Sequence, residues 1–282
     1  MGAGLVVATD HPEAVVAAAR DHDCLLVRWP DDGPRLIERH WDSIAPCLDA
    51  LTEQTGVRRL SPDEAVALPG VSTIAVMLTL LGAGDRAPRL LVADPGAVTD
   101  LIRTISNLTY SQRRVLPMPL DILASMNRKL RGVAALGSAL SVSGATLTQL
   151  RTRGRWAAVV DADGNRGRRA ARHLTLAGIA LRPATGTIDA ALAGAQAPPA
   201  DPWFEVARYG DDLELFVPAP GLDRESTRLS RAGDDLLVTV DGIAHPIELP
   251  SGLKRCVVVG GTVRDDGLRV RFRPERGKWR DG

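Results

Sequence analysis

The chain has 282 residues and nearly balanced charge, with 35 basic and 34 acidic side chains and a formal net charge of +1. Such a chain has no overall field to recruit nucleic acid or anionic lipid, so neither is expected as a partner. Its three cysteines are scattered without a C-x-x-C pair, which favours free thiols in a reducing, cytoplasmic setting over disulfides or a zinc site. We recognise no export leader and no run of about 18 apolar residues, and therefore expect no stable membrane insertion.

Residues 1–192 are predicted to form a mixed α/β domain. Short apolar runs alternate with helical patterns, as in a parallel sheet with helices on both faces. Between the second and third runs, Ser61, Pro62 and Glu64 stand in the order of an N-cap, a first-turn proline and a capping-box glutamate, which predicts a helix start. The predicted strands are Leu5–Ala8, Cys24–Val27, Leu90–Ala93 and Ala157–Val160.

A helical segment rich in small residues follows at residues 108–150. Its apolar stripe has near-helical spacing, which predicts a buried core helix, and the alternative is a groove for a hydrophobic protein client. Four methionines in the whole chain are few for the adaptable surface that such grooves favour, so we prefer the core helix. The stripe consists of Met118, Leu120, Ile122, Leu123, Met126 and Leu130.

Residues 193–202, AGAQAPPADP, are predicted to be a Pro/Ala linker, and residues 203–273 an all-β sandwich of roughly seven short strands that folds on its own. Residues 274–282 are a basic tail. Turn clusters rich in Asp and Gly separate the strands and supply the positive-φ chemistry that reverses the chain, at residues 210–212, 233–235, 241–242 and 266–267. The apolar contacts are expected from Leu215, Val217, Leu237, Val238, Val240, Val270 and Phe272.

The sandwich region also resembles a known domain. The run from Val217 to Gly242 reads VPAPGLDRESTRLSRAGDDLLVTVDG, and DDGLRVRFRP closes the region. Almost end to end, it is similar to the small-heat-shock-like (α-crystallin-type) domain appended to bacterial ATPases of the ArsA family, which includes arsenite pumps and ATPases that target tail-anchored proteins. The resemblance covers about a quarter of the chain.

Three segments of the α/β part resemble the nucleotide site of the same family, in the family's order. Thr9-Asp10-His11-Pro12 follows a buried run and resembles the switch-I segment. Residues 36–51 resemble the helix that follows, and LLVADPGAVTDL at residues 90–101 resembles the Walker-B strand with switch II. The resemblance implies a truncated, P-loop-NTPase-like parallel sheet.

The phosphate-binding loop of these ATPases is missing from the sequence. A hydrolysing member needs G-x-x-x-x-G-K-[ST], because backbone N–H groups and the lysine hold the phosphates while the hydroxyl holds Mg²⁺. None of Lys129, Lys254 and Lys278 lies in a glycine loop, and residues 95–100 depart from the switch-II pattern. We therefore expect a pseudo-ATPase that lacks the first strand and the loop, with no catalytic residue, cofactor or metal.

Loss of that first strand, its loop and its helix is expected to leave the neighbouring strand of the sheet and the helices around it short of cover, exposing an apolar patch for association. The partner would be a second copy of the chain or an ArsA-like ATPase homologue. Alternatively, residues 108–150 cover the edge from within and leave a monomer.

Two groups of residues are candidates for a site. The resemblance implies that Asp10 and Asp94 are relics of positions that orient the attacking water and support Mg²⁺, although an acid after a parallel strand also commonly caps the next helix. Arg166, Arg168 and Arg169 open a helix and are candidates for an anion site. Alternatively, Asp161 and Asp163 neutralise these arginines, or the basic face is merely solvated.

Three classes of function remain. We favour a non-catalytic, protein-binding or regulatory subunit, paired with an ArsA-like ATPase or with itself. The alternatives are an ATP-independent, chaperone-like binder of hydrophobic protein segments, and an anion- or nucleotide-binding enzyme of unrelated chemistry.

Overall fold

The computed structural model describes residues 4–20, 22, 24–55, 58–68, 70–81, 89–115, 156–182 and 204–275. The elements of the first part are β1 (Gly4–Thr9), α1 (Pro12–Ala19), β2 (Leu25–Trp29), α2 (Gly33–Arg39), α3 (Trp41–Thr55), α4 (Pro62–Ala65), α5 (Val71–Leu81), β3 (Arg89–Ala93), α6 (Pro95–Val115), β4 (Trp156–Asp161), α7 (Gly164–Leu176) and β5 (Ala180–Arg182). Those of the second part are β6 (Glu205–Tyr209), β7 (Asp212–Pro218), β8 (Thr227–Ala232), β9 (Asp235–Val240), β10 (Ile243–Glu248), α8 (Ser251–Lys254), β11 (Cys256–Arg264) and β12 (Gly267–Pro274).

The first five strands form one parallel sheet in the order β2-β3-β1-β4-β5. Every residue of β1 and β3 is buried, as expected for central strands covered on both faces. The four strands predicted from the apolar runs are all confirmed. An α/β domain with a parallel sheet therefore occupies the first part of the chain.

Helices cover both faces of this sheet. Val16 of α1 packs on the face to which Leu5 and Val7 point, whereas Val6 and Ala8 point towards the other described helices. Right-handed crossovers explain this division, because the chain moves one way across the sheet from β1 to β2 and the opposite way in every later step. The direction reverses beside β1, so the carboxyl ends of β1, β3 and β4 form the edge where open α/β sheets commonly bind ligands.

The segment Leu5–Ala8 lies in the interior of the parallel sheet. That segment belongs to β1, which is hydrogen-bonded to β3 on one side and to β4 on the other. Two parallel neighbours therefore pair with this strand along both of its edges, and the apolar patch expected from loss of the first strand stays a prediction.

The predicted helix start at Ser61 is confirmed at α4, whereas the helix suggested for residues 36–51 is interrupted. The capping box is present: Ser61 Oγ accepts from the Glu64 backbone N–H at 3.4 Å, and the Ser61 N–H donates to Glu64 Oε2 at 2.9 Å. The single helix suggested for residues 36–51 is instead two helices, α2 and α3. His40 leaves the helical conformation between them, and its Nε2 forms a hydrogen bond with Thr79 Oγ1 at 2.9 Å.

The second part of the chain is an antiparallel β-sandwich. A four-stranded sheet, β11-β12-β7-β6, packs on a three-stranded sheet, β10-β9-β8. Asp241 (φ 52°) and Gly242 (φ 77°) form the β9–β10 turn, and two consecutive positive φ angles are what a type I′ hairpin requires. The predicted core residues are confirmed with one exception, Leu237. Its neighbour Leu236 belongs to the core instead, and Leu237 points to the opposite face of β9.

The sandwich is docked on the α/β domain. Leu176, the last residue of α7, is fully buried and belongs to the apolar core of the sandwich. Helix α6 packs against β10, the edge strand of the three-stranded sheet. Two helices of the first domain therefore complete one side of the second.

Candidate functional site

The two acidic residues singled out from the sequence meet one arginine at the carboxyl ends of the central strands. Asp10 follows β1 and Asp94 follows β3, which are neighbours in the sheet. Arg166, in the first turn of α7, places Nη2 at 2.8 Å from Asp94 Oδ1 and Nη1 at 3.9 Å from Asp10 Oδ1. We call these three residues the carboxylate edge.

Asp94 also caps the helix that follows it. Its Oδ1 accepts hydrogen bonds from the backbone N–H groups of Gly96 (2.8 Å) and Ala97 (3.2 Å), at the start of α6. The same oxygen accepts from Arg166. The capping role considered from the sequence is therefore confirmed, and it holds the carboxylate at the sheet edge.

The connection from β1 to α1 is too short for a phosphate-binding loop. Only Asp10 and His11 separate the strand from the helix, and the His11 N–H donates to Thr9 Oγ1 at 3.1 Å. Pro12 removes one backbone donor at the helix start, and the acidic Glu13 lies in the first turn, where an anion would otherwise bind.

The family resemblance implies a magnesium-bound nucleotide, and the described residues of this edge do not fit one. Mg²⁺ binds through open carboxylate oxygens and substrate phosphates. Here both carboxylates face the positive charge of Arg166, and the β1–α1 connection offers no glycine cradle.

The three candidate arginines point in three directions. Arg166 faces the carboxylate edge, Arg168 donates to Asn165 Oδ1 at 2.7 Å, and Arg169 lies 3.3 Å from Asp241 Oδ2 of the sandwich. The acids that face Arg166 and Arg169 are therefore not Asp161 and Asp163, which the sequence had suggested. An anion site at these arginines stays a prediction.

A second polar cluster, which sequence reasoning missed, lies where α7 meets the sandwich. His173 Nδ1 is 2.9 Å from His245 Nε2, and both side chains are fully buried. Three basic side chains of α7 approach one carboxylate oxygen of the β9–β10 turn: Arg169 at 3.3 Å, Arg172 at 3.6 Å and His173 at 3.6 Å from Asp241 Oδ2. We call these five residues the interface cluster.

Helical spacing explains why α7 serves both domains. Gly167, Ala170 and Leu174 form one stripe that packs towards the parallel sheet. The stripe formed by residues 169, 172, 173 and 176 has the i, i+3, i+4, i+7 spacing of a second face, and it contacts the sandwich. The sequence does not reveal this second face of α7, because a buried helix face is recognised by a stripe of apolar residues and this one contains arginine and histidine.

Burial lowers the pKa of His173 from 6.5 to about 4, because the charged imidazolium loses its hydration inside the interface. Asp241 opposes the shift, whereas Arg169 and Arg172 add to it. The histidine is therefore neutral at physiological pH.

Comparison with known proteins defines the second domain. The family model described as the HSP20-like domain found in ArsA matches residues 210–272. The β-sandwich is an HSP20-like domain.

Over 82 residues the chain is 39% identical to an uncharacterized protein of Streptomyces coelicolor, SCO2128, covering 28% of this chain and 21% of that protein. Over 65 residues it is 40% identical to protein Rv2184c of Mycobacterium tuberculosis, covering 23% of this chain and 16% of that protein. The chain thus spans about a fifth of the length of the curated relatives it matches.

The outer face of the HSP20-like domain carries a cavity of about 760 Å³ above its four-stranded sheet. Arginines of β12 line it, but acids of the same face neutralise them: Arg269 lies 2.6 Å from Asp266 and Arg273 lies 3.0 Å from Asp212. This face therefore presents mostly compensated charge to a ligand.

Several predictions fall outside the described residues: the apolar stripe from Met118 to Leu130, the linker at residues 193–202, and residues 276–282 of the tail. Within the described part, no three His, Cys, Asp or Glu side chains are grouped as a metal site would require. In the same part, no helix has the length and apolar character needed to cross a membrane.

Proposed function

We propose that the α/β domain is a degenerate ArsA-like domain of the P-loop NTPase type, and that the protein acts as a non-catalytic binding or regulatory subunit. The observation that carries this proposal is the position of Arg166 between Asp94 and Asp10. A guanidinium is permanently charged, and Arg166 supplies from within the chain the positive charge that a bound metal ion would otherwise supply to these carboxylates.

The β1–α1 connection supports the same conclusion independently. Phosphoryl transfer depends on electrostatic holding of the phosphates, for which the short connection through Asp10 and His11 has no glycine loop and no lysine. Loss of both the phosphate cradle and the open carboxylates favours a binding role over hydrolysis.

The HSP20-like domain supports the choice of partner. Because the matching family is named for its occurrence in ArsA, we propose an ArsA-like ATPase homologue, or a second copy of this chain, as the protein's partner. A regulatory subunit of this kind would present a paralogous α/β domain that resembles the partner's own but does not turn over nucleotide.

Titration of the purified chain with Mg-ATP tests the loss of nucleotide binding. We expect no heat of binding for the wild type or for Arg166→Ala, because removing the arginine restores open carboxylates but not a phosphate loop. Micromolar affinity in either protein would overturn the proposal. Arg168→Ala is a matched control, since that arginine contacts Asn165 rather than the carboxylate edge.

Affinity purification from the native cell tests the partner. An ArsA-like ATPase recovered in stoichiometric amount, or a light-scattering mass of twice 30.0 kDa, is expected. A mass of one chain with no recovered partner would defeat this part of the proposal.

A chaperone-like role is the second candidate, and one observation favours it. β11 is an edge strand whose Val257 and Val259 side chains are 42% and 41% exposed, because they alternate with Val258, which packs against the core. Exposed apolar side chains on a strand edge suit extended hydrophobic segments. If this role is correct, Val257→Thr with Val259→Thr will weaken suppression of client aggregation, whereas Val206→Thr on the opposite edge will not.

A further inference from the structure

The interface cluster is more than a surface ion-pair network, because its histidines lie inside the protein. His245 stands opposite Val238 in the β9–β10 register, and directly paired residues share a face, so His245 points to the core side of its sheet. His173 reaches it from α7, one turn before Leu176 enters the same core. The two imidazoles are therefore the fully buried part of the polar contact between the domains.

The hydrogen bond between the two rings is compatible with two neutral imidazoles. In one assignment of the tautomers, the Nε2–H of His245 donates to Nδ1 of His173, and the Nε2–H of His173 faces Asp241 Oδ2 at 3.6 Å. One further proton can be accommodated by changing the tautomer of His245, so the hydrogen bond itself survives. The cost of protonation is therefore electrostatic.

A charge count shows that cost. Asp241 carries one negative charge, while Arg169 and Arg172 carry two positive charges, so the cluster is already at +1 with neutral histidines. A proton on His173 raises it to +2 within a buried interface. On α6, the other helix of the first domain that packs against β10, the charged side chains that the structure describes are Asp100 and Arg103, which pair with each other at 2.9 Å and are exposed. They do not offset the added charge.

We propose that the histidine pair, together with Asp241, is a proton-sensitive latch that holds the HSP20-like domain on helix α7. The latch is closed when both rings are neutral and opens when the pair takes up a proton. Opening withdraws the β9–β10 turn from α7 and exposes Leu176.

The expected size of the pH response follows from the difference in the pKa of His173 between the docked and the released state. The pKa of His173 is about 4 when docked, and the ordinary value of 6.5 applies once the residue is in water. Between pH 7 and pH 5 the opening equilibrium should therefore rise by about 20-fold. This window lies above the titration of ordinary carboxyl groups, so histidine is the side chain that changes charge.

Hydrogen exchange on the full chain, corrected for the intrinsic rate at each pH, tests the latch. From pH 7 to pH 5, exchange should accelerate in residues 164–176 and 241–248, while residues 213–217 and 268–272 in the centre of the sandwich stay protected. The double variant His173→Asn with His245→Gln keeps amide groups near the two ring nitrogens but does not titrate, so it should lose the pH response. His40→Gln is the matched control, because burial also lowers the pKa of His40, which lies away from the interface cluster.

Asp241→Asn gives a second test that does not depend on the histidine variants folding. Removing the carboxylate leaves Arg169 and Arg172 uncompensated, so exchange at α7 should already be fast at pH 7. Unchanged exchange of the wild type between the two pH values would overturn the proposal. So would a wild-type pH response in the double variant, or simultaneous loss of protection throughout the sandwich.

Discussion

Truncation of Leu176 tests whether the two domains share a core. The side chain is fully buried and belongs to the apolar cluster of the sandwich although it lies on α7. Leu176→Ala removes the transfer free energy of the leucine side chain and leaves a cavity. For buried leucines these two terms together lower the free energy of unfolding by about 3 kcal/mol. At a urea slope of about 1.5 kcal/mol/M, the unfolding midpoint should fall by about 2 M.

Leu174→Ala is the matched control, because Leu174 is equally buried on the same helix but packs in the core of the α/β domain. Urea unfolding followed by hydrogen exchange reads the two cores separately, through β9 and β12 for the sandwich and through β1 and β3 for the parallel sheet. We expect Leu176→Ala to lower protection in the sandwich. A loss below about 1 kcal/mol, or a loss confined to β1 and β3, would refute the shared core.

Three further predictions concern the same helix. Gly167→Ala should lower the free energy of unfolding, measured by thermal denaturation, by about 2 kcal/mol, because the new Cβ would stand 2.0 Å from the carbonyl oxygen of Ala162. The control Gly252→Ala has open space around the new Cβ and should leave the free energy of unfolding nearly unchanged. The pKa of His173 is about 4 in the folded state and 6.5 in the unfolded chain. Its contribution to the free energy of unfolding is therefore fully present above pH 6.5 and falls by up to about 3 kcal/mol towards pH 4. A flat pH profile in urea titrations would contradict this. Arg166→Ala should change the free energy of unfolding by less than about 1 kcal/mol, since its ion pairs are exposed; a larger loss would mean that the arginine holds the fold.

The sequence predicts most elements of this fold because their signals are local. Strand β3 is a continuous apolar run, and the Asp241-Gly242 turn carries the backbone preference that a two-residue hairpin needs. The Ser61 capping box is likewise contained within four residues. Each of these features depends on neighbours in the chain, so a single sequence contains the whole signal.

The long-range partners of polar residues were not predictable in the same way. Asp10 and Asp94 were identified, but Arg166, which joins them, is 72 residues beyond Asp94 and became their partner only because β4 follows β1 in the sheet. His245 has no metal-ligand spacing with the other histidines, so the sequence contains no local sign of its role. Its contact with His173 requires two domains to meet, and no local propensity encodes that meeting.

Helix α7 relates the two parts of the molecule. Its first turn supplies Arg166 to the carboxylate edge, its middle supplies Arg169 and Arg172 to Asp241, and its last residue enters the core of the HSP20-like domain. At about 1.5 Å per residue, these positions lie within roughly 20 Å on one rigid element. One helix therefore carries both the charged contact with the carboxylate edge and the contacts that dock the HSP20-like domain.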